Sequence, residues 1–157
     1  MEQIRKDSPT EALLTSEIFK DVKQECIEKL DEILSRKELK KGEILIEEGT
    51  VSSKFYVVER GDIEVYFSVP GQRSFLEACR LKVGSVVGEM ALLEDDVHSA
   101  RVVAKTQASV IQIDSKAFLL FLENHPEVGF GVMRNLAKII SNRLRYTDQF
   151  VRHFAAN

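Results

Sequence analysis

The residues with the clearest chemical potential lie between Gly84 and Ala104, in the stretch GSVVGEMALLEDDVHSARVVA. Gly88 and Glu89 stand directly before a short helical segment there. The free N–H groups of a first helical turn, together with the helix dipole, favour a phosphate. The neighbouring carboxylate can accept hydrogen bonds from sugar hydroxyls. A phosphate donor beside a hydroxyl acceptor predicts a nucleotide pocket.

The composition predicts one soluble globular domain. The chain has 157 residues, of which 44% are hydrophobic and 30% charged, and its net charge is −3, which gives no overall reason to expect nucleic acid. No apolar run approaches the roughly 20 residues that span a bilayer, and the N-terminus lacks an apolar signal core. We therefore expect a cytoplasmic protein that does not enter the membrane. Cys26 and Cys79 have no partner at metal-ligand spacing, so we expect two reduced packing residues.

The elements that must position the pocket change type twice along the chain. From Thr10 to about Leu34 the apolar residues recur every three or four positions, which predicts an amphipathic helical lead-in. From Lys41 onward, glycines separate short runs of β-branched and aromatic residues, which predict an antiparallel sandwich or barrel. The runs that we expect to be strands are Glu43–Glu47, Phe55–Glu59, Ile63–Val69, Ser74–Leu81, Ser85–Val87, Arg101–Ala104 and Val110–Asp114. Gly61 and Gly71 mark two hairpin turns.

Two helices are predicted after Asp114. Ser115 can cap a helix that reaches about Asn124, and a longer helix runs from about Glu127 to Phe154. The long helix carries an apolar stripe near heptad spacing, which is typical of a helix that pairs with its own copy. Its cations raise the alternative of a nucleic-acid surface, which we consider weaker because they are dispersed around the helix. These cations are Arg134, Lys138, Arg143, Arg145 and Arg152, against the single acid Asp148.

Nearly the whole chain, from about Leu14 to Phe154, resembles the cyclic nucleotide-binding domain family. The similarity rests on four motifs: Lys41-Gly42-Glu43, Glu48-Gly49, Tyr56-Val57-Val58-Glu59-Arg60-Gly61 and the turn Gly88–Leu92. It implies a catabolite activator-like sensor domain that is mainly β with flanking helices: an eight-stranded antiparallel jelly-roll barrel, N-terminal helices and a long C-terminal helix. We expect one domain over residues 1–157, with a helical lead-in at 1–37, the β-roll at 38–114 and C-terminal helices at 115–157.

The resemblance also implies a ligand-binding set, comprising Gly88, Glu89, Met90, Ala91, Leu92, His98, Ser99, Ala100, Arg101 and Thr147. Glu89 would accept the ribose 2′-hydroxyl, and Gly88 would let the backbone approach the sugar. The backbone N–H groups of Ala91 and Leu92 would face the cyclic phosphate. Ser99 matches a phosphate contact and Thr147 a base contact. The simpler readings are a helix-terminal charge at Glu89, a surface serine at Ser99 and an exposed helix threonine at Thr147.

One departure from the family concerns the phosphate. The family usually places an arginine after a proline near the end of the acidic loop, and this chain has Val97 and His98 there. A histidine of ordinary pKa, about 6.5, is mostly neutral at neutral pH. Losing the charged fork of an arginine could cost roughly 2–4 kcal/mol of binding. Arg101 could act as a substitute clamp or point into solvent, and the acids Glu94, Asp95 and Asp96 would repel an anion.

These observations predict a regulatory module, not an enzyme, that needs no cofactor. Its ligand would be a cyclic nucleotide, with cyclic AMP first, and its signal would pass through the helices at Ser115–Phe154 of a homodimer to an effector protein that the sequence does not identify. The main alternative is a domain of the same fold that binds no nucleotide and serves as a dimerisation or docking scaffold. A metal-dependent cupin-type enzyme is a third, weaker reading, because the chain has only His98, His125 and His153. We expect no DNA binding, since the chain ends at Asn157 without room for a helix-turn-helix.

Overall fold

The computed structural model describes residues 8–94 and 97–156. In these residues eight strands are flanked by helices at both ends of the chain. The strands are β1 Leu34–Leu39, β2 Ile44–Ile46, β3 Lys54–Arg60, β4 Ile63–Ser68, β5 Phe75–Leu81, β6 Val86–Val87, β7 Arg101–Ala104 and β8 Ala108–Asp114. The α-helices are α1 Pro9–Leu14, α2 Gln24–Glu28, α3 Ser115–Asn124 and α4 Pro126–Ala155, and short 3-10 helices lie at Glu17–Phe19, Asp31–Ile33 and Glu89–Leu92.

The strands form two four-stranded antiparallel sheets. One sheet has the order β1-β8-β3-β6 and the other β2-β7-β4-β5. The prediction of eight antiparallel strands in a mainly β domain is therefore confirmed. Within residues 8–94 and 97–156 no strand ladder joins the two sheets, so the closed barrel that we expected is not observed. The architecture is a two-sheet roll.

The N-terminal region differs most from the sequence-based expectation. The predicted helical lead-in is broken into short helices, and one break falls at Asp21, whose φ of 63° is left-handed. Its last part is not helical, because Leu34–Leu39 forms β1 and pairs with β8 from Leu34 opposite Ile113 to Leu39 opposite Ala108. The helical lead-in to residue 37 was wrong there. Pairing along six residues outweighs the local helical spacing.

Two apolar clusters organise the molecule. One joins the sheet that contains β3 and β8 to the helices, and its centre holds Phe19, Phe55 and Phe118, with ring centroids 5.8 Å apart for Phe19 and Phe118 and 5.1 Å for Phe55 and Phe118. The other joins strands of both sheets and includes Val58 and Ile63. Because β6 contributes Val86 to the first cluster and Val87 to the second, the segment before Gly88 is fixed by both cores.

Helix α4 has two parts with different surroundings. In the proximal half, residues 126–140, the side chains of Val128, Val132, Leu136 and Ile139 are buried. Asn135 of this half donates from Nδ2 to the carbonyls of Ile18 (3.0 Å) and Lys20 (2.8 Å), which ties it to the N-terminal helices. In the distal half, residues 141–155, most side chains are exposed. The proximal half is thus part of the core and the distal half extends over the roll.

The predicted start of α3 needs one correction. The residue that caps this helix is Asp114, whose Oδ1 accepts the N–H of Ala117 at 2.9 Å, while Ser115 is the first helical residue. The carboxylate is the stronger acceptor for an unpaired N-terminal N–H. No described helix is both long and apolar enough to cross a membrane.

Candidate functional site

The predicted pocket is built on Gly88–Leu92, which we call the site turn. Strand β6 leads into it, Gly88 adopts a left-handed conformation with φ of 75°, and residues Glu89–Leu92 form a 3-10 helix. A Cβ built on Gly88 would lie 3.3 Å from Ile46 Cδ1 and 3.6 Å from His98 Cε1. Both the positive φ and the close approach of these side chains favour glycine at this position.

Glu89 is the buried acid of the site turn. Only 3% of the residue is exposed, and its carboxylate forms an ion pair with the guanidinium of Arg143 from the distal half of α4. Arg143 also donates to the backbone carbonyl of Val86. A buried carboxylate requires such pairing, because an unpaired one is strongly disfavoured in a protein interior. The long helix therefore reaches the centre of the predicted pocket.

Arg143 was missed as a site residue by the sequence analysis. It was counted there among the dispersed cations of the long helix. The available signal was its spacing from Thr147, because residues four apart lie on the same face of a helix. Thr147 Oγ1 donates to the Arg143 carbonyl at 3.0 Å, and the side chain is exposed. Thr147 thus lies on the face that approaches the site turn, without a base-like partner.

Two side chains form hydrogen bonds with the backbone N–H and carbonyl of Val86 in strand β6. The N–H of Val86 donates to Glu17 Oε1 at 2.9 Å, and its carbonyl accepts from Arg143. Glu17 also donates its own N–H to the carbonyl of Gly84 at 3.0 Å. The entry to the site turn is consequently fixed by the N-terminal helices on one side and by α4 on the other.

The remaining residues of the site turn have different exposures. Met90 is exposed and Ala91 is half-buried, while Leu92 is buried in the apolar cluster that joins the sheet of β3 and β8 to the helices. The N–H of Ala91 donates to the Gly88 carbonyl at 3.1 Å, so this donor closes the turn. Leu92 anchors the turn by its side chain. The expectation that Ala91 and Leu92 present N–H groups to a phosphate stays a prediction.

The loop before β7 places His98 beside the site turn. Its backbone is fixed by two hydrogen bonds of 2.8 Å, in which His98 N–H donates to Thr50 and Gly49 N–H donates to His98. Burial lowers the pKa of the imidazole, and the nearby Glu89 carboxylate opposes that effect. Ser99 is exposed and Ala100 half-buried. Of the predicted acidic loop, Glu94 is exposed, while Asp95 and Asp96 lie outside the described residues.

Arg101 is already engaged at the start of β7. Its Nε donates to Glu47 Oε1 at 2.8 Å, and its guanidinium carbon lies 4.0 Å from the centroid of the Phe75 ring. An ion pair and a cation–π contact both have to be given up before this side chain could clamp a phosphate. The structure thus brings Gly88, Glu89 and His98 together, and it places Arg101 in a separate contact with Glu47.

Arg143 is the side chain of α4 that contacts the carboxylate of the site turn. Two surface cavities, of about 330 and 340 Å³, are lined by other parts of the chain: the first by residues of 14–21 and 83–85, the second mainly by residues of 32–35 and 112–117. Neither cavity includes Glu89, whose carboxylate is paired with Arg143. Among the described residues, no three His, Cys, Asp or Glu side chains are grouped so that they could hold a metal ion.

The chain belongs to the cyclic nucleotide-binding domain family, whose model matches residues 36–125, more than half of the chain. A family member of this kind is a regulatory ligand-binding domain. The match begins at β1 and ends at the junction of α3 and α4, so it includes both sheets and the whole site turn. The resemblance seen in the four sequence motifs is confirmed.

Three similar proteins illustrate the relationship. Human cGMP-dependent protein kinase 2 is 27% identical over 117 residues, which cover 74% of this chain and 15% of the kinase. A cyclic nucleotide-binding domain from Methylobacillus flagellatus superposes with a TM-score of 0.82 at 20% identity, covering 92% of this chain and 83% of that one. The catabolite activator protein of Thermus thermophilus gives a TM-score of 0.76 at 22% identity, with coverage of 89% and 63%. At these identities the two solved structures show the fold.

Proposed function

We propose that this chain is a cyclic nucleotide sensor in which the ligand and Arg143 compete for Glu89, so that binding repositions the distal half of α4. One observation carries the proposal: the only buried carboxylate of the site turn among the described residues is paired with a cation from the C-terminal helix. The acid that the family uses for the sugar thus also holds the helix that the domain would use to signal.

The competition follows from the chemistry of a carboxylate. Glu89 can accept several hydrogen bonds, but its burial limits how many partners reach it. A ribose 2′-hydroxyl that donates to Glu89 weakens the pair with Arg143, because both donors approach the same oxygens. A ligand can shift a conformational equilibrium only by its differential affinity for the two states. The Glu89–Arg143 pair can make the affinity differ between the two states, since the pair exists only when the distal half of α4 packs against the site turn.

Movement of the distal half would change the polar contacts that Arg143 and Tyr146 make with the strands and the site turn. Arg143 contacts Glu89 and the Val86 carbonyl, and the hydroxyl of Tyr146 donates to the carbonyl of Ala78 on β5 at 2.6 Å. A hydrogen bond of this kind contributes about 1 kcal/mol. The proximal half, in contrast, is buried and tied by Asn135. We therefore place the hinge near Ile139, the last buried residue of α4.

The exposed apolar side of the distal half supports the further proposal of a homodimer that pairs through α4. Its exposed apolar residues are Leu144, Tyr146, Val151 and Phe154. Leu144 and Val151 are seven residues apart, so they lie on one face, as in a coiled coil. A movement of α4 would then alter the dimer and any effector protein that reads it.

Cyclic AMP is the ligand that we propose first, because Thr147 lies on the same helix face as Arg143 and could reach a base from there. Cyclic GMP is the second candidate, favoured by the relationship to a kinase whose name specifies that nucleotide. Thr147→Ala should reduce the affinity for the nucleotide whose base it contacts and leave the affinity for the other unchanged.

The rival function is a scaffold of the same fold that binds no nucleotide. It is favoured by Arg143 on Glu89 and by His98 in the position where the family usually has arginine. Calorimetric titration of cyclic AMP and cyclic GMP into the wild-type chain and into Glu89→Ala separates the two functions. The sensor predicts saturable binding, one nucleotide per chain, that the substitution weakens. No heat and no rise in melting temperature at millimolar nucleotide would favour the scaffold.

A further inference from the structure

The ring of His98 has an unsatisfied nitrogen beside the site turn. Nε2 is buried, and among the described residues it has no hydrogen-bond partner. Buried polar atoms in folded proteins normally have one. The ring lies next to Gly88, as the distance of 3.6 Å from Cε1 to a Cβ built there indicates. The backbone N–H and carbonyl of His98 are hydrogen-bonded to Thr50 and Gly49, which fixes the residue in this place.

The surroundings of His98 favour a neutral ring, because burial outweighs the attraction of the nearby carboxylate. Burial lowers the pKa of His98, and the Glu89 carboxylate only partly opposes this. Arg143 from α4 pairs with the same carboxylate and reduces its effect on the ring. On the side of β7, Arg101 is paired with Glu47. The imidazole thus has one buried nitrogen without a hydrogen-bond partner among the described residues, in surroundings that favour its neutral form.

We propose that His98 binds the cyclic phosphate as an imidazolium, so that nucleotide binding takes up a proton and strengthens as the pH falls. This inference rests on the proposed function. A neutral imidazole has one donor, whereas an imidazolium has two donors and a positive charge, and charge-assisted hydrogen bonds to phosphate are roughly twice as strong. By linkage, the anion that benefits from the proton also stabilises it.

The size and direction of the effect follow from that linkage. The ligand-free ring has a lowered pKa, and the bound phosphate raises it. Between these two values, each unit fall in pH tightens binding by up to about tenfold. Above the bound value and below the free value the affinity is constant. A permanently charged arginine at this position would give tight binding at every pH.

Calorimetric titration of cyclic AMP into the full chain tests the proposal between about pH 6 and about pH 8, where histidine titrates. Using two buffers that differ in ionisation enthalpy gives the number of protons taken up. We expect the dissociation constant to fall at least about fivefold from the higher to the lower pH, with net proton uptake. His98→Gln should bind weakly with a flat pH profile, and His98→Arg tightly with a flat one. His153→Asn, an exposed histidine of α4, should behave as wild type.

Two results would overturn the inference, and only one of them would also overturn the proposed sensor function. Nucleotide binding that is equally strong at both pH values, without proton uptake, would remove the role of His98 and leave the sensor function standing. No binding by wild type or by His98→Arg at either pH would remove both. A melting curve of each variant verifies that it is folded. Titration of the His98 ring by NMR, with and without cyclic AMP, gives an independent measure, with a higher pKa expected in the complex.

Discussion

Arg143 of the long helix and Glu89 of the site turn form an ion pair within the candidate site. The side chain of Glu89 is 4% exposed and that of Arg143 is 39% exposed. The carboxylate is therefore buried, and the guanidinium approaches it from the surface. In the proposed function, signal and ligand share this one carboxylate. A helix position that depends on this pair is sensitive to any molecule that competes for it.

Replacing Arg143 tests that relationship. Arg143→Gln leaves Glu89 without its cation, so we expect the free energy of unfolding to fall by about 1–2 kcal/mol, less than for a fully buried pair because Arg143 is partly exposed. Nucleotide affinity should rise by about three- to tenfold, since the competing donor is gone. Urea denaturation and calorimetric titration measure the two effects. Arg145→Gln, two residues along the same helix and exposed, is the matched control and should change neither. An affinity that falls in Arg143→Gln would show that Arg143 helps the ligand.

Gly88 provides a test of the backbone conformation of the site turn. Gly88→Ala introduces a side chain at a φ of 75° and 3.3 Å from Ile46 Cδ1, so both stability and nucleotide binding should decrease. Gly71 is the matched control, since its φ is 79° and a Cβ there meets nothing within 4 Å. We expect Gly71→Ala to lose about 1–2 kcal/mol of stability from the positive φ alone and to bind nucleotide normally. Equal loss of binding in both variants would contradict a specific role for Gly88.

The distal half of α4 gives a prediction about assembly. If it forms a homodimer, Leu144→Glu places a charge in the apolar contact and should shift the protein towards monomer in sedimentation equilibrium. Leu120→Glu on α3 is the control, because Leu120 is 59% exposed and Leu144 is 60% exposed. Burial of one such leucine is worth about 1.5–3 kcal/mol, or roughly one to two decades in the dimer dissociation constant. A wild-type chain that remains monomeric at high concentration would refute the dimer.

An ion pair away from the site predicts how stability depends on pH. Glu59, the extra residue of a β-bulge in β3, accepts from Arg36 of β1 at Nε (2.8 Å) and Nη2 (2.6 Å) and from Ser109 of β8 at 2.8 Å. Burial alone would raise the pKa of Glu59, but these donors outweigh burial and lower it. A lowered carboxylate pKa means that the unfolded state binds more protons in acid. The contribution to stability is therefore complete above the unfolded pKa of about 4.3 and is lost as the pH falls through the folded value.

Glu59→Gln checks this dependence. We expect it to lower the free energy of unfolding at neutral pH by about 1–3 kcal/mol, because Arg36 and Ser109 lose a charged acceptor. The difference from wild type should shrink in acid, where Glu59 of the wild type is also protonated. Glu38→Gln serves as the control, since Glu38 pairs with Arg60 at an exposed site. Urea denaturation at neutral and acidic pH gives these values. A wild-type advantage over Glu59→Gln that grows in acid would contradict the assigned role.

The sequence predicts most of the sheet and misses one strand, for a physical reason. Glycine-containing connections separate the strands from β2 to β7, and most strands from β2 to β8 are rich in β-branched or aromatic residues, so local patterns indicate them. Strand β1 has the sequence Leu-Ser-Arg-Lys-Glu-Leu. It comes directly after a segment with helical spacing of its apolar residues, so nothing local marks it as a strand. Its conformation comes from pairing with β8, in which Leu34 lies opposite Ile113 and Leu39 opposite Ala108, far away in sequence. Non-local pairing of this kind overrides intrinsic propensity.

The candidate site, like the fold, was predicted only in part from the sequence. Gly88 and Glu89 are adjacent, and their place directly before a short helical segment indicated a turn that could bind a nucleotide. Arg143 reaches the carbonyl of Val86 across 57 positions of sequence, and neither residue type reveals that contact. Its position on α4 depends on how the proximal half of that helix packs, which Asn135 and the buried apolar residues determine. Contacts made by packing therefore require the structure.

The exchange of backbone amide hydrogens in the distal half of α4 tests the central claim most directly. It should be measured for wild type and Arg143→Gln, without ligand and with saturating cyclic AMP, with saturation verified by calorimetry. Competition for Glu89 predicts faster exchange at residues 143–155 when wild type binds nucleotide. It also predicts that Arg143→Gln exchanges fast already without ligand and changes little on binding. Saturated wild type whose α4 exchanges as slowly as the free protein would contradict the claim.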